Sequence, residues 1–333
     1  MTETVDGVPA SPAAVAAQSE LIAPRMREHL TLTPLATFHG VADELGAEAL
    51  VKCEHLQRTG SFKARGALAK VLTLTAEERE RGVVTASSGN HGLGVAHALS
   101  VLGGQGIVFV PDNASPVKVA AIRRFGAEVR GHGTDSGAME AVAREYAGEH
   151  GLVYVSPYND LDVIAGQGTI GVEMLEQAGG RGLDAVFVSV GGGGLISGVA
   201  SVLKHRLPGV RVFGASPSAD AAMAASVAAG RVVPVDARPT LSDGTAGSVE
   251  AGAVTLGLCR ALVDDWVLVD EAAIRAALRL VIDTEHQLIE GAAAMAVAAA
   301  LARREELRGQ RVAIVSCGAN IAASTLAAAL TAA

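Results

Sequence analysis

The run Ser61-Phe62-Lys63-Ala64-Arg65-Gly66-Ala67 sets one lysine between an aromatic ring and small residues. A protonated lysine amine is a poor nucleophile; it becomes a good one when a partly desolvated setting lowers its pKa and a carbonyl partner is supplied. Rivals for that role are few, since the chain's lysines are Lys52, Lys63, Lys70, Lys118 and Lys204. Two readings stand for Lys63 taken alone. It snorkels from an amphipathic helix opening near Ser61, or it is a covalent catalyst.

Three further stretches carry possible chemistry. Thr85-Ala86-Ser87-Ser88-Gly89-Asn90-His91-Gly92 stands where a strand gives way to a helix. Hydroxyls, a glycine and a helix amino terminus together make a cradle for an anion such as a carboxylate, and equally Ser88 or Asn90 serves as a helix cap. Ser189-Val190-Gly191-Gly192-Gly193-Gly194-Leu195-Ile196 is again strand into helix. Four glycines let backbone amides wrap a phosphate with no Cβ in the way, or form a plain flexible turn. The loop lacks the Gly-Lys-Ser/Thr ending of a nucleoside triphosphate site and the spaced glycines and acidic residue of a dinucleotide site, which leaves a small phosphate ester. In Val315-Ser316-Cys317-Gly318-Ala319-Asn320 a hydroxyl ends the last strand and could face a ring nitrogen; as a strand-terminal turn it would mean little.

These stretches need elements to hold them. Thr33-Pro34-Leu35 leads into a strand pair whose second member is Ala49 to Glu54, and the Lys63 motif then opens a helix to about Leu72. Apolar runs rich in β-formers follow at Val83–Ala86, Ile107–Val110, Glu128–Arg130, Leu152–Val155, Ala185–Val190, Val210–Ala215, Trp266–Val269 and Val312–Ser316. Helical patterns fill the gaps, as at Gly92–Leu102, Ser136–Glu149, Ile164–Gln177 and Ile196–Arg206, after a helical leader around Pro12–Met26. Strands apolar on both faces that alternate with helices predict an α/β fold of parallel sheets covered by helices. A smaller α/β unit at 81–157 is expected to be inserted between the two parts, 1–80 and 158–333, of a larger one.

Composition narrows the business of such a fold. Only 3% of the 333 residues are aromatic while 50% are hydrophobic, so the cores must be built from Ala, Val, Leu and Ile. A net charge of −8 with no basic run argues against a nucleic-acid surface. Cys53, Cys259 and Cys317 are odd in number and widely spaced, which suits neither a disulfide framework nor a zinc cluster and fits a reducing cytoplasm. Glu3, Asp6 and Glu20 spoil a signal-peptide pattern, and the Ala-rich run near 291–302 reads as a buried helix rather than a membrane span.

Taken in order, the motifs resemble the fold type II family of pyridoxal-phosphate enzymes, and most closely its serine/threonine dehydratase (ammonia-lyase) branch, which also holds serine racemases. The likeness runs from about Thr33 to Thr325 and implies two open parallel-sheet domains of the tryptophan synthase β type. It implies that Lys63 is the Schiff-base lysine, that Phe62 is the ring beside pyridoxal 5'-phosphate, that Asn90 bonds the phenolic oxygen, that Gly191, Gly192, Gly193, Gly194 and Leu195 form the phosphate loop, and that Asn159 is a further cofactor contact. Ser316 matches the position opposite the pyridine nitrogen. Ser87, Ser88, His91 and Gly244 would line the substrate site, with Glu290 as a supporting acid or a plain helix-start carboxylate.

A neutral partner at the ring nitrogen makes a weaker electron sink than a carboxylate would. The expected reaction is therefore β-elimination of water from a hydroxy-amino acid, L-threonine or L-serine, to a 2-oxo acid and ammonia, with Lys63 removing the α-proton. Departures point elsewhere as well. Ser88 holds the position of a racemase serine, so racemisation is a second reading, alongside elimination from another β-hydroxy amino acid such as hydroxyaspartate. Leu93 stands where a glutamine is common. Ser216 replaces a glutamate that holds a divalent cation in the family, and a hard cation wants charged oxygens, so no metal is expected. The resemblance further implies a homodimer, and the end at Ala333 implies no regulatory module. A non-catalytic binding protein on the same fold is the reading from another class.

Overall fold

The computed structural model describes residues 4–5, 8–133 and 136–331. Glu3 and Asp6 lie outside them, as do the extreme ends of the expected larger unit and residues 134–135 of the expected smaller one. The fold is α/β with two sheets of parallel strands. The larger has six strands in the order β11-β10-β9-β12-β4-β3, made of β3 (Leu35–Thr37), β4 (Glu48–Cys53), β9 (Ala185–Ser189), β10 (Arg211–Pro217), β11 (Asp265–Val269) and β12 (Arg311–Ser316). The smaller runs β7-β6-β5-β8, from β5 (Val83–Ala86), β6 (Gly106–Val110), β7 (Glu128–Gly131) and β8 (Val153–Tyr154). A two-stranded ribbon, β1 (Thr4–Val5) with β2 (Val8–Pro9), precedes them.

Only β3 among the strands of the two main sheets runs antiparallel to its neighbour, pairing Leu35–Thr37 with Leu50–Lys52 at an edge. Central strands β9 and β12 are buried almost throughout, which is why their sequences are unbroken apolar runs rather than alternating ones. The Ala-rich helix Gly291–Ala302 is buried along nearly its whole length against that sheet, and its small side chains let it sit close. Among the described residues no helix is long and apolar enough to cross a membrane.

Two helices begin two residues earlier than their hydrophobic periodicity predicts. The helix expected from Gly92 spans Asn90–Leu102, and the one expected from Ile196 spans Gly194–Arg206. In each, the first turn is formed by the polar or glycine residues of the preceding loop, so the unpaired amides of the helix start lie within the candidate site. The strand expected at Leu152–Val155 shrinks to Val153–Tyr154 at the sheet's edge.

The helix Lys63–Thr73 is wedged between the two sheets' coverings. Close approach on both sides depends on glycine. A Cβ on Gly94, in the Asn90 helix, would stand 2.9 Å from the Lys63 carbonyl oxygen, and one on Gly166, in the helix Leu161–Gln177, would stand 2.7 Å from the Arg65 carbonyl. Asp160 starts that second helix by accepting from the amides of Asp162 (2.8 Å) and Val163 (3.1 Å).

Candidate active site

The carboxyl ends of β5, β9 and β12 converge on a cavity of about 820 Å³, the position where open parallel sheets collect ligands. Lys63 lies in its wall, and its Nζ donates to the Pro157 carbonyl oxygen at 2.6 Å and stands 5.2 Å from the centroid of the Phe62 ring. Burial lowers the Lys63 pKa to about 8, against the opposing pull of Glu140 first and of Cys317 and Glu290 after it. The amine is thus far nearer to its reactive neutral form than an exposed lysine is.

Two residues further along the helix, Arg65 anchors that lysine. Its guanidinium is 1% exposed and bonds Glu54 at 2.7 Å (Nε to Oε2) and Glu173 at 2.7 Å (Nη1 to Oε1). Lys52, fully buried, donates to Glu173 at 2.6 Å and to the Thr33 carbonyl at 2.6 Å. Two cations and two carboxylates from β4, the segment after it and two helices therefore form a neutral, dry quartet under the Lys63 helix. The sequence carried no periodic signal for it, because its members meet only in the tertiary fold.

The glycine loop forms a second wall. Gly191, Gly192, Gly193, Gly194 and Leu195 all line the cavity, and Gly193 has φ +87°, a conformation that favours glycine. A Cβ on Gly191 would stand 2.8 Å from the Thr245 carbonyl, and one on Gly192 would run into the Tyr158 ring. The loop leads directly into the helix Gly194–Arg206, whose free amides and dipole suit a phosphate.

A third wall joins the two sheets. Asn90, the first residue of the helix Asn90–Leu102, donates through Nδ2 to both oxygens of Glu290 (3.1 and 3.2 Å), while Asn320 beyond β12 donates its backbone amide to Glu290 (3.0 Å) and its Nδ2 to Asn90 Oδ1 (2.6 Å). Glu290 is 3% exposed, and burial raises its pKa to about 7. Asn320, quoted within the last motif, has a place here that its position after a strand did not reveal.

Ser316 is a correction. It does not line the cavity; it is 1% exposed, and its Oγ lies 2.7 Å from His55 Nδ1, with His55 Nε2 in turn 2.6 Å from Gln287 Oε1. Side chains alternate along a strand, so the next residue faces the other way, and it is Cys317 that lines the cavity. Phe62 holds that turn by donating its amide to the Cys317 carbonyl (3.0 Å). Burial pushes the Cys317 thiol well above its usual pKa, so it is a neutral group, as the hydroxyl would have been.

Asn159 is a second correction. Its Oδ1 accepts from the Val254 amide (2.9 Å) and so caps the helix Val254–Leu262 instead of reaching the cavity. Ser87, Ser88, His91 and Gly244 do line the cavity. Ser87 Oγ accepts from the Gly89 amide (3.1 Å), shaping the turn. His91 Nε2 lies 3.0 Å from the Val155 carbonyl, so that nitrogen carries the hydrogen and the buried Nδ1 is an acceptor without a partner. Burial lowers the His91 pKa to about 3, and a neutral acceptor cannot receive a carboxylate by donation. Away from the cavity, Ser216 donates to the Val190 carbonyl (3.2 Å) and Asp220 accepts from the Gly247 amide (2.8 Å). Lys118, Glu140, Tyr158 and Asp243 complete the polar wall and were not assigned from sequence.

The family model described as pyridoxal-phosphate dependent enzyme matches residues 26–318. The chain is 39% identical to an L-threonine ammonia-lyase of Geobacter sulfurreducens over 91% of this chain and 74% of that one. It is 36% identical to an L-threo-3-hydroxyaspartate ammonia-lyase of Saccharomyces cerevisiae, over 89% and 90%. Among solved structures, the processed form of threonine deaminase isoform 2 from Solanum lycopersicum superposes with a TM-score of 0.90 at 33% identity, covering 98% of this chain and 90% of the other.

Proposed function

The chain belongs to the pyridoxal-phosphate dependent enzymes, and within that family we propose that it is an ammonia-lyase that eliminates water from L-threonine or L-serine. The observation that carries the reading is Lys63: a buried amine of lowered pKa sharing one cavity with a phosphate-sized glycine loop and a hydroxyl-lined helix start. That donor set fits the cofactor. Gly191 to Leu195 would hold its phosphate, Phe62 would flank its ring, Asn90 would meet its phenolic oxygen and Cys317 would stand at the ring nitrogen. When bound, pyridoxal phosphate supplies a sink for negative charge at the substrate's α-carbon.

The chain's own residues do the rest. The start of the Asn90 helix, with Ser87 and Ser88, binds the α-carboxylate through amides and hydroxyls. Lys63 takes the proton from the α-carbon, and the electron pair of that C–H bond forms the Cα–Cβ double bond as the β C–O bond breaks. The hydroxyl leaves with one proton as water. The enamine that results tautomerises to an imine, and water hydrolyses it to the 2-oxo acid and ammonia. The neutral Cys317 thiol does not hold a ring nitrogen protonated, which favours prompt loss of the β-substituent. The same reading takes 81–157 as an inserted unit that closes on the larger one, a homodimer as the assembly and the cytoplasm as the compartment.

The test is ammonia and 2-oxo acid release by the holoenzyme from both enantiomers of threonine and serine. Lys63→Ala should abolish release, by about a thousandfold or more, and should prevent borohydride from fixing the cofactor to the chain. Full activity in that variant would end the proposal. Ser88, whose side chain lines the cavity, favours racemisation as the second reading, and chiral analysis of residual substrate separates the two.

A further inference from the structure

Glu140 is the charged residue of the cavity wall that, among the described residues, is held by no hydrogen bond or ion pair. The wall carries Lys63, Lys118, Glu140, Asp243 and Glu290, and among the described residues no arginine. Glu290 is held by Asn90 and Asn320, Lys118 stands 3.7 Å from Asp243 Oδ2, and Lys63 serves the cofactor. Glu140, on the helix Ser136–Glu149, makes no hydrogen bond or ion pair among the described residues. Its neighbour one turn on, Arg144, is committed to Glu250 at 2.9 Å and lies over the Tyr154 ring at 4.3 Å. Burial, then the Glu250 charge, raises the Glu140 pKa, and the opposing pulls of Lys63 and Arg144 do not offset them.

A half-buried carboxylate left unpaired is costly, so its position carries information about what the cavity receives. An amino acid with a second carboxylate on its β-carbon needs a cation to meet it. With Lys63 engaged by cofactor, Lys118 is the remaining cationic side chain of the wall, and it already faces Asp243. The second carboxylate would meet Glu140 in a partly desolvated space, where like charges repel far more than in water.

We propose that Glu140 determines specificity, restricting the site to β-hydroxy amino acids whose β-substituent is uncharged and rejecting dicarboxylic ones such as 3-hydroxyaspartate. The inference rests on the ammonia-lyase reading, and it separates this chain from its yeast relative while keeping it with the Geobacter one.

The test uses holoenzyme, wild type, Glu140→Gln and Glu140→Arg, with two readouts. The first is binding of L-2-aminobutyrate and of L-aspartate, followed by the change in cofactor absorbance; neither carries a β-hydroxyl, so no water is eliminated. Wild type should bind aminobutyrate about tenfold or more tightly than aspartate, Glu140→Gln should shrink that ratio about fivefold through aspartate alone, and Glu140→Arg should invert it. The second is the ratio of kcat/KM for L-threonine to that for L-threo-3-hydroxyaspartate, which should move in the same direction as the binding ratio. Wild type favouring aspartate, or both ligands changing in parallel in the variants, would overturn the proposal. A shifted binding ratio without ammonia from any hydroxy-amino acid refutes the lyase reading alone; ammonia with an unshifted ratio refutes the role of Glu140 alone.

Discussion

Two adjacent side chains at the end of β12 face opposite ways, and the chemistry at the far end of the cavity depends on which of them is exposed to it. Ser316 is spent on His55, while Cys317 lines the wall. Ser316→Ala should therefore cost about 1–2 kcal/mol in urea unfolding, from the lost hydrogen bond to His55, and leave cofactor absorbance and kcat for threonine within about twofold. Cys317→Ala should shift the absorbance maximum and lower kcat by about fivefold or more. A spectrum that responds to Ser316 and not to Cys317 would reverse the assignment. The motif around these residues was legible in sequence, because a strand-to-turn junction with small residues marks a ligand end of a sheet. The parity of one residue was not, since it depends on where the strand ends. Asn159 was misread for a related reason: its partner, Val254, lies 95 residues away, and a cap over that distance leaves no local pattern.

At the scale of elements, the Lys63 helix is held less by its own sequence than by what it is pinned to. Glycines permit its close approach to two neighbouring helices, and the Arg65 quartet fixes its angle and register. Removing one member strands the opposite charge in a dry place, which costs far more than the pair contributes net. Glu173→Ala should lose about 3–5 kcal/mol in the apoprotein, read by urea unfolding, because it leaves both Lys52 and Arg65 short of a partner. A loss below about 1 kcal/mol would show that water or a rearranged Glu54 satisfies them. Strands and helices were legible from alternation and periodicity, and the glycine loop from composition, because each is a local property. The quartet was not, since Lys52, Glu54, Arg65 and Glu173 come together only when β4 and two helices are packed.

Across the whole molecule, the Asn90–Glu290–Asn320 cluster ties the smaller sheet to the larger one through a single carboxyl group, and its protonation makes stability depend on pH. The Glu290 pKa rises from an ordinary 4.5 to about 7 in the fold, chiefly through burial and also through Asp243, while the Asn90 and Asn320 hydrogen bonds and Lys118 oppose the rise. A raised carboxyl pKa means that the folded chain binds a proton that the unfolded chain has released, so stability falls as pH rises between the two values. The contribution is fully present below about pH 4.5 and is lost by about pH 7, with an upper bound of about 3 kcal/mol from the size of the shift. Glu290→Gln removes the titration while keeping the shape. Urea unfolding of apoprotein from pH 5 to 7 should show the variant gaining on wild type by about 1–3 kcal/mol across that interval, since groups remote from Glu290 are common to both chains and cancel, and Lys63, which Glu290 pulls upward, titrates mainly above it. Asp243→Asn should move the midpoint of the wild-type loss to lower pH, by removing the charge that helps keep Glu290 protonated. A difference between wild type and Glu290→Gln that stays flat from pH 5 to 7 would mean that Glu290 remains ionised in the fold, and that the joint between the sheets is held by a carboxylate accepting from Asn90 and Asn320 and not by a carboxylic acid.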